Sequence, residues 1–318
     1  FTASAAKYLD ASGNLTAAAS SFGMNTLLEH WAMAIHPPTL FVGYAGLTIP
    51  FAYAIAAIIV NDSSKAWVVR SQRYALFSWL FLGIGLGAVW AYVVLGWGGY
   101  WGWDPVENAS LLSWLVGVAL IHSFTVYRQR GAFKRWSVMC ACLTFAFVIV
   151  GTFISRSGLV QSVHAFEGDN VSLVLFGGLI AASVLAGIVG LIVRWKSFGP
   201  AKAGGDDISS MMSKDAAYYF NNLIMIVFTL MLTFMTIAPA LPFNLKFSTG
   251  TYDAIARPLG ILYLIVLTAC PLLSWGKTEG KQFWKRARIP GACALVLFAV
   301  LMFYYATYLL PSYQANVA

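Results

Sequence analysis

The chain has 318 residues, 59% of them hydrophobic and only 10% charged, with a net charge of +8. A soluble domain carries roughly 25% charged residues, so this composition excludes a water-soluble globule and points to a bilayer. Nucleic acid is excluded as a partner as well: sixteen of the twenty Lys and Arg fall in four loops between apolar runs, which is a topology signal and leaves no basic face for a polyanion.

Residues 1–36 precede the first span. They begin with Phe1, and residues 1–24 lack the basic start and apolar stretch of a signal peptide, so further sequence is expected upstream. Apolar runs near the ~20 residues that cross a bilayer follow at 37–60, 74–96, 109–127, 136–154, 171–193, 218–240, 257–275 and 289–310. They predict an all-α fold, a polytopic transmembrane helix bundle of about eight spans, forming a single domain over 1–318 with its membrane part at 37–310. The loops after the odd-numbered spans carry the sixteen cations; the other side holds only Lys7, Arg156, Lys246 and Arg257. By the positive-inside rule both termini and the loop 96–108 lie outside. No loop is long enough for a soluble domain, and the longest, 194–217, contains AKAGGDD and reads as a flexible connector. Cys140, Cys142, Cys270 and Cys293 lie within apolar runs and form neither a disulfide framework nor a CxxC or CxxCH motif.

Ahead of the first span stands LLEHWAMAIHPPTL. Pro37 and Pro38 suit a helix start, where a missing N–H costs nothing. That puts His36 at the outer mouth of the span and leaves His30 in the solvated interface. The second and third spans are joined by WGGYWGWDPVENAS, with Trp97, Tyr100, Trp101 and Trp103 interleaved among glycines. An interfacial aromatic belt is one reading of these rings. A belt needs no glycines, however, and Gly96, Gly98, Gly99 and Gly102 leave ring faces open to a large flat object. The loop ends in Asp104-Pro105-Val106-Glu107, a capping box with proline at the first helical position. Asp104 and Glu107 are therefore expected to open the third span, with a catalytic role as the alternative for Asp104.

His122 lies inside the third span, ~20 Å deep at helical rise. A side chain hydrogen-bonding across helices is one reading of it, a functional role the other. Between the fourth and fifth spans, RSGLVQSVHAFEGDN carries His164 on the same side as the aromatic loop. Two imidazoles, His36 and His164, flanking an aromatic platform suit axial ligation of a haem iron. Zinc fits less well, since no Cys lies on that side to complete a tetrahedral set. Arg156 is a candidate partner for a haem propionate, or else a snorkelling interfacial residue.

Taken together, WGGYWGWDPVENASLLSWL resembles the tryptophan-rich WWD signature of the haem-handling proteins of cytochrome c maturation. MAIHPPTLFVGYAGLTIPFAYA before it and GTFISRSGLVQSVHAF after it narrow the resemblance to the CcmF-type haem lyase family of the System I pathway. The resemblance covers nearly the whole chain, but only the central part of a typical member. It implies a cytochrome c haem lyase subunit that attaches haem b to the CxxCH of an apocytochrome c through thioethers. In that picture His36 and His164 ligate the iron at the outer face. Trp97, Tyr100, Trp101, Trp103 and Asp104 make the reactive surface, and His122 ligates a second, buried b-type haem. The implied partners are apocytochrome c, a haem chaperone, other maturation subunits and a quinol electron donor. The implied location is the bacterial inner membrane, with the haem site facing the periplasm. The family takes the second ligand of the buried haem from a histidine in a later span, and spans four to eight here contain none. A second polypeptide is therefore expected to complete that site, unless the chain is part of a longer one. The alternatives are a haem exporter, a CcsA-type synthase and a structural subunit of a respiratory complex.

Overall fold

The computed structural model describes residues 12, 14, 29–95, 99–160, 162, 168–200, 208 and 210–317. Trp97 and His164 lie outside these, so nothing is said of their placement. Among the described residues the structure is helical, and eight helical stretches are long and apolar enough to cross a membrane.

Helix α1 spans Trp31–Ile59 and begins six residues ahead of the expected boundary, so Pro37 and Pro38 lie inside it. The start is set by His30, whose ring Nδ1 accepts from the Ala32 amide at 3.2 Å as an N-cap. His36 therefore sits five residues past the start of α1, ~8 Å along its axis, and not at its mouth.

The second span is also different from its expected form. It consists of α2 (Ala66–Phe81) and α3 (Ile84–Trp90), the latter prolonged by a π-helical turn at Ala91–Leu95. The break falls at Leu82–Gly83, where Gly83 takes φ 63°, the left-handed conformation that ends helices. α1 crosses the break closely: a Cβ on Gly43 would stand 2.7 Å from the Leu82 amide nitrogen.

Helices α4 (Pro105–Arg130) and α5 (Lys134–Arg156) occupy the middle of the bundle. α1, α2, α6 (Asn170–Val193) and α7 (Lys214–Ile237) pack around them. α8 (Thr249–Ala269) leans on α7 and buries only Tyr252, while α9 (Gly280–Tyr304), continued by α10 (Leu310–Val317), buries none of its residues. Apolar side chains facing outward are no liability in lipid, which is as apolar as they are. Polar groups must instead be satisfied internally. The hydroxyls of Ser123, Thr144, Thr229 and Thr236 accordingly donate to carbonyls one turn back. The Asn222 amide donates to Ser123 Oγ, bridging α7 and α4. Alternation of the spans brings one set of termini to a common end with the loop 99–104; this is called the loop end below.

Candidate functional site

The loop is built from the start of α4. Asp104 accepts from the Val106 amide at 3.0 Å, while Glu107 Oε2 accepts from the amides of Asp104 (3.2 Å) and Gly102 (3.1 Å). The expected capping box is therefore present, and the same carboxylate also gathers the glycine ahead of Trp103. Asp104 has a further partner that the capping pattern does not announce: the Ser162 hydroxyl donates to its Oδ2 at 2.6 Å. Ser162 precedes His164 by two residues, so this bond ties the aromatic loop to the His164 segment.

Trp103 has φ 58°. A non-glycine residue there costs ~1–3 kcal/mol and persists only where its surroundings over-determine it. They do so here. The indole stacks on Tyr252 at 5.2 Å and 15°, its Nε1–H donates to Asp253 at 2.9 Å, and its carbonyl accepts from the Asn108 amide at 3.2 Å. The glycines are expected to leave ring faces open, and one face of Trp103 is instead covered by Tyr252, so this ring anchors the loop to α8. Trp101 stands edge-on to Trp103 at 6.1 Å, and Tyr100, 57% exposed, stacks on Tyr92 at 4.4 Å and 13°.

Tyr92 belongs to the π turn that prolongs α3, and the other end of α3 meets His36. His36 Nδ1 lies 3.1 Å from the Gly83 carbonyl oxygen. A carbonyl only accepts, so Nδ1 carries the hydrogen and the lone pair of the neutral ring lies on Nε2. A second-partner bond of this kind fixes the tautomer and plane of metal-bound histidines. Gly83 to Tyr92 spans nine residues, or ~14 Å of helix. The loop is thus linked through α3 to the His36 neighbourhood and through Asp104 to Ser162, two positions before His164 in the sequence. Arg156 closes α5 at the same end. It faces Asp169, whose carboxyl is held below its ordinary range first by hydrogen bonds from Ser172, with a smaller contribution from the Arg156 charge.

His122 lies on α4 well away from the loop, eight residues from the opposite end of the helix at Arg130. It contacts Asn221 through Nδ1 and meets the Tyr218 ring edge-on at 5.0 Å. Together with Lys214 and Cys270 these residues line a cavity of about 180 Å³. Both readings of His122 thus keep support: it bonds across helices to α7, and it faces a cavity.

Glu107, Ser162, Gly83, Tyr252 and Asp253 are site residues that sequence reasoning missed or credited with less than they do. The glycine alternation LGIGLG inside an apolar run was a usable sign of the break at Gly83. Nothing local marks Ser162, Tyr252 or Asp253, because their partners lie 58 to 150 positions away.

Residues 8–161 match the family described as cytochrome C assembly protein. The chain is 36% identical over 285 residues to the cytochrome c-type biogenesis protein CycK of Bradyrhizobium diazoefficiens, with 87% of this chain and 42% of the relative covered. It is 33% identical over 285 residues to the cytochrome c-type biogenesis protein CcmF of Escherichia coli, with 87% and 43% covered. Over a shorter stretch of 150 residues it is 51% identical to the cytochrome c-type biogenesis protein NrfE of Haemophilus influenzae, 46% of this chain and 24% of that one. A solved structure titled "Cytochrome c Heme Lyase CcmF" superposes with a TM-score of 0.65 at 30% identity, covering 82% of this chain and 39% of that one. The chain spans about two fifths of the length of the CycK and CcmF relatives. Its motifs, its membrane-spanning helices and these similarities agree: the chain is an integral membrane protein that resembles the cytochrome c assembly family, on its CcmF side.

Proposed function

We propose that the chain acts in cytochrome c maturation, presenting haem at its loop end for covalent attachment to the CxxCH cysteines of an apocytochrome c. The reading also takes the loop end to face the periplasm, with the basic loops in the cytoplasm of a bacterial inner membrane. One arrangement carries it. A single aromatic loop is tied on one side to α3, against which His36 leans, and on the other to the segment of His164.

The residues at the loop end fit a haem. His36 holds the tautomer whose Nε2 can bind iron, aromatic rings with exposed area stand at the loop, and Arg156 supplies a cation at the same end. Here haem is a substrate. Each cysteine S–H adds across a vinyl C=C, the sulfur bonding one carbon and the hydrogen ending on the other, so no oxidant is consumed. The chain's own part is to orient the porphyrin, hold the iron through His36 and His164, and keep the loop at a fixed angle through Asp104 and Glu107. The iron is kept reduced by electrons from a quinol donor, and a haem chaperone and other maturation subunits are the expected partners.

The His122 cavity fits a second haem only in part. It offers one imidazole, no second histidine among its lining residues, and about 180 Å³, against ~300–1,000 Å³ for pockets that enclose a small organic ligand. A partner polypeptide carrying the family's later histidine would have to complete it.

The test is the visible spectrum of the purified protein with its co-purified haem. His36→Ala and His164→Ala should each lower Soret absorbance per protein. Unchanged absorbance in both would end the reading.

A further inference from the structure

The second span is interrupted at the point where it faces His36, and two glycines, one in that interruption and one a turn beyond it, shape the space the ring occupies. Gly83 is the N-cap of α3 in the left-handed conformation, and its carbonyl accepts the amides of Leu86 (3.0 Å) and Gly87 (3.1 Å) as well as meeting His36 Nδ1. Gly87, one turn further on, leaves the space beside Cε1 and Nε2 of the same ring unfilled. A Cβ there would stand 2.8 Å from His36 Cε1 and 2.9 Å from Nε2. A real Cβ essentially never stands so close to another group, so a side chain at 87 and this ring position exclude each other.

We infer that Gly83 and Gly87 form a cradle that positions His36 for iron ligation, Gly83 fixing the tautomer through its carbonyl and Gly87 leaving room for the ring beside Cε1 and Nε2. This rests on the reading of His36 as an axial ligand, and makes the two glycines positioning residues for it. The carbonyl of Gly83 is the first acceptor of α3's own ladder, through Leu86 and Gly87, and His36 Nδ1 approaches it as a further partner. Orienting partners of this kind are worth ~10–100-fold in the affinity of the metal they support.

Gly85 supplies the control. It lies on the same short helix, two residues from Gly87, and an added Cβ there meets nothing within 4 Å. Both Gly→Ala changes raise helix propensity equally, so only the contact with the His36 ring separates them.

The experiment compares wild type, Gly87→Ala, Gly85→Ala and His36→Ala, each purified with its natural partners. It reads haem content, the low-spin to high-spin ratio and the iron midpoint potential. Gly87→Ala should bind haem ~10-fold or more weakly, or retain it in a high-spin form with an altered potential, as His36→Ala does, while Gly85→Ala matches wild type. Wild-type spectra and potential in Gly87→Ala, alongside loss in His36→Ala, would overturn the cradle. Unchanged spectra in His36→Ala itself would instead remove the axial-ligand reading beneath it. Should Gly87→Ala fail to accumulate, the double variant His36→Ala/Gly87→Ala decides. The ring is what a Cβ at 87 meets, so the double variant should accumulate like His36→Ala alone, and its failure to do so would assign Gly87 to general packing.

Discussion

The Ser162 hydroxyl donates to Asp104 Oδ2 at 2.6 Å, joining residues 58 positions apart. One carboxylate therefore both caps α4 and holds Ser162. The two duties separate by substitution.

Asp104→Asn should keep most cytochrome c maturation, because Asn caps about as well as Asp and its amide oxygen still accepts from Ser162. Asp104→Ala should lose the cap, at ~1 kcal/mol, together with the Ser162 bond, at ~1 kcal/mol. Ser162→Ala should lose only the latter, lowering haem retention while thermal stability changes little. Maturation assays and melting curves on the three variants check this. Abolished maturation in a normally inserted Asp104→Asn protein would favour a charge-specific role.

Trp103 is expected to behave as an anchor. Trp103→Ala removes the stack on Tyr252 and the Asp253 bond, and should cost about 3 kcal/mol, the low end for a large aromatic truncation because the ring is only partly buried. Trp103→Phe keeps the stack and should cost about 1 kcal/mol for the lost N–H donor. Equal effects of the two substitutions on melting temperature would show that the stack contributes nothing.

The His122 cavity leads to a spectroscopic expectation. Its lining holds one imidazole, and a low-spin bis-histidine haem needs two, so the chain alone should bind the buried haem poorly or in a high-spin state. Adding the polypeptide that carries the family's later histidine should restore the low-spin spectrum, and His122→Ala in that pair should remove it. A low-spin bis-histidine signal from the lone chain, indifferent to His122→Ala, would mean the buried site is wrongly assigned.

Orientation is open to a labelling measurement. In a background lacking the four native cysteines, Tyr100→Cys should react with a membrane-impermeant thiol reagent applied from the periplasm. Ser64→Cys, exposed in the loop between α1 and α2, should react only after the membrane is opened. The reverse pattern would invert the topology drawn from the basic loops.

What the sequence alone determined is what local chemistry dictates. Eight runs of apolar residues require eight spans, since the length of such a run and the thickness of the hydrocarbon leave no other solution. The capping box at Asp104 and Glu107 was legible because its partners stand within three residues of one another. The three motifs around His36, the aromatic loop and His164 were likewise sufficient for the family. Boundaries were less secure where a side chain overrode propensity: the His30 ring caps α1 and draws Pro37 and Pro38 into the helix.

Only the tertiary structure decided how the loop is held and which groups meet. The Trp103 indole finds Tyr252 and Asp253 about 150 positions away, and its left-handed backbone is tolerable only because that distant surface fixes it. The break at Gly83 became informative once His36, 47 positions earlier, was seen against its carbonyl. Helix packing sets such relationships, bringing together groups whose separation along the chain carries no periodicity, and for that reason no pattern in the sequence records them.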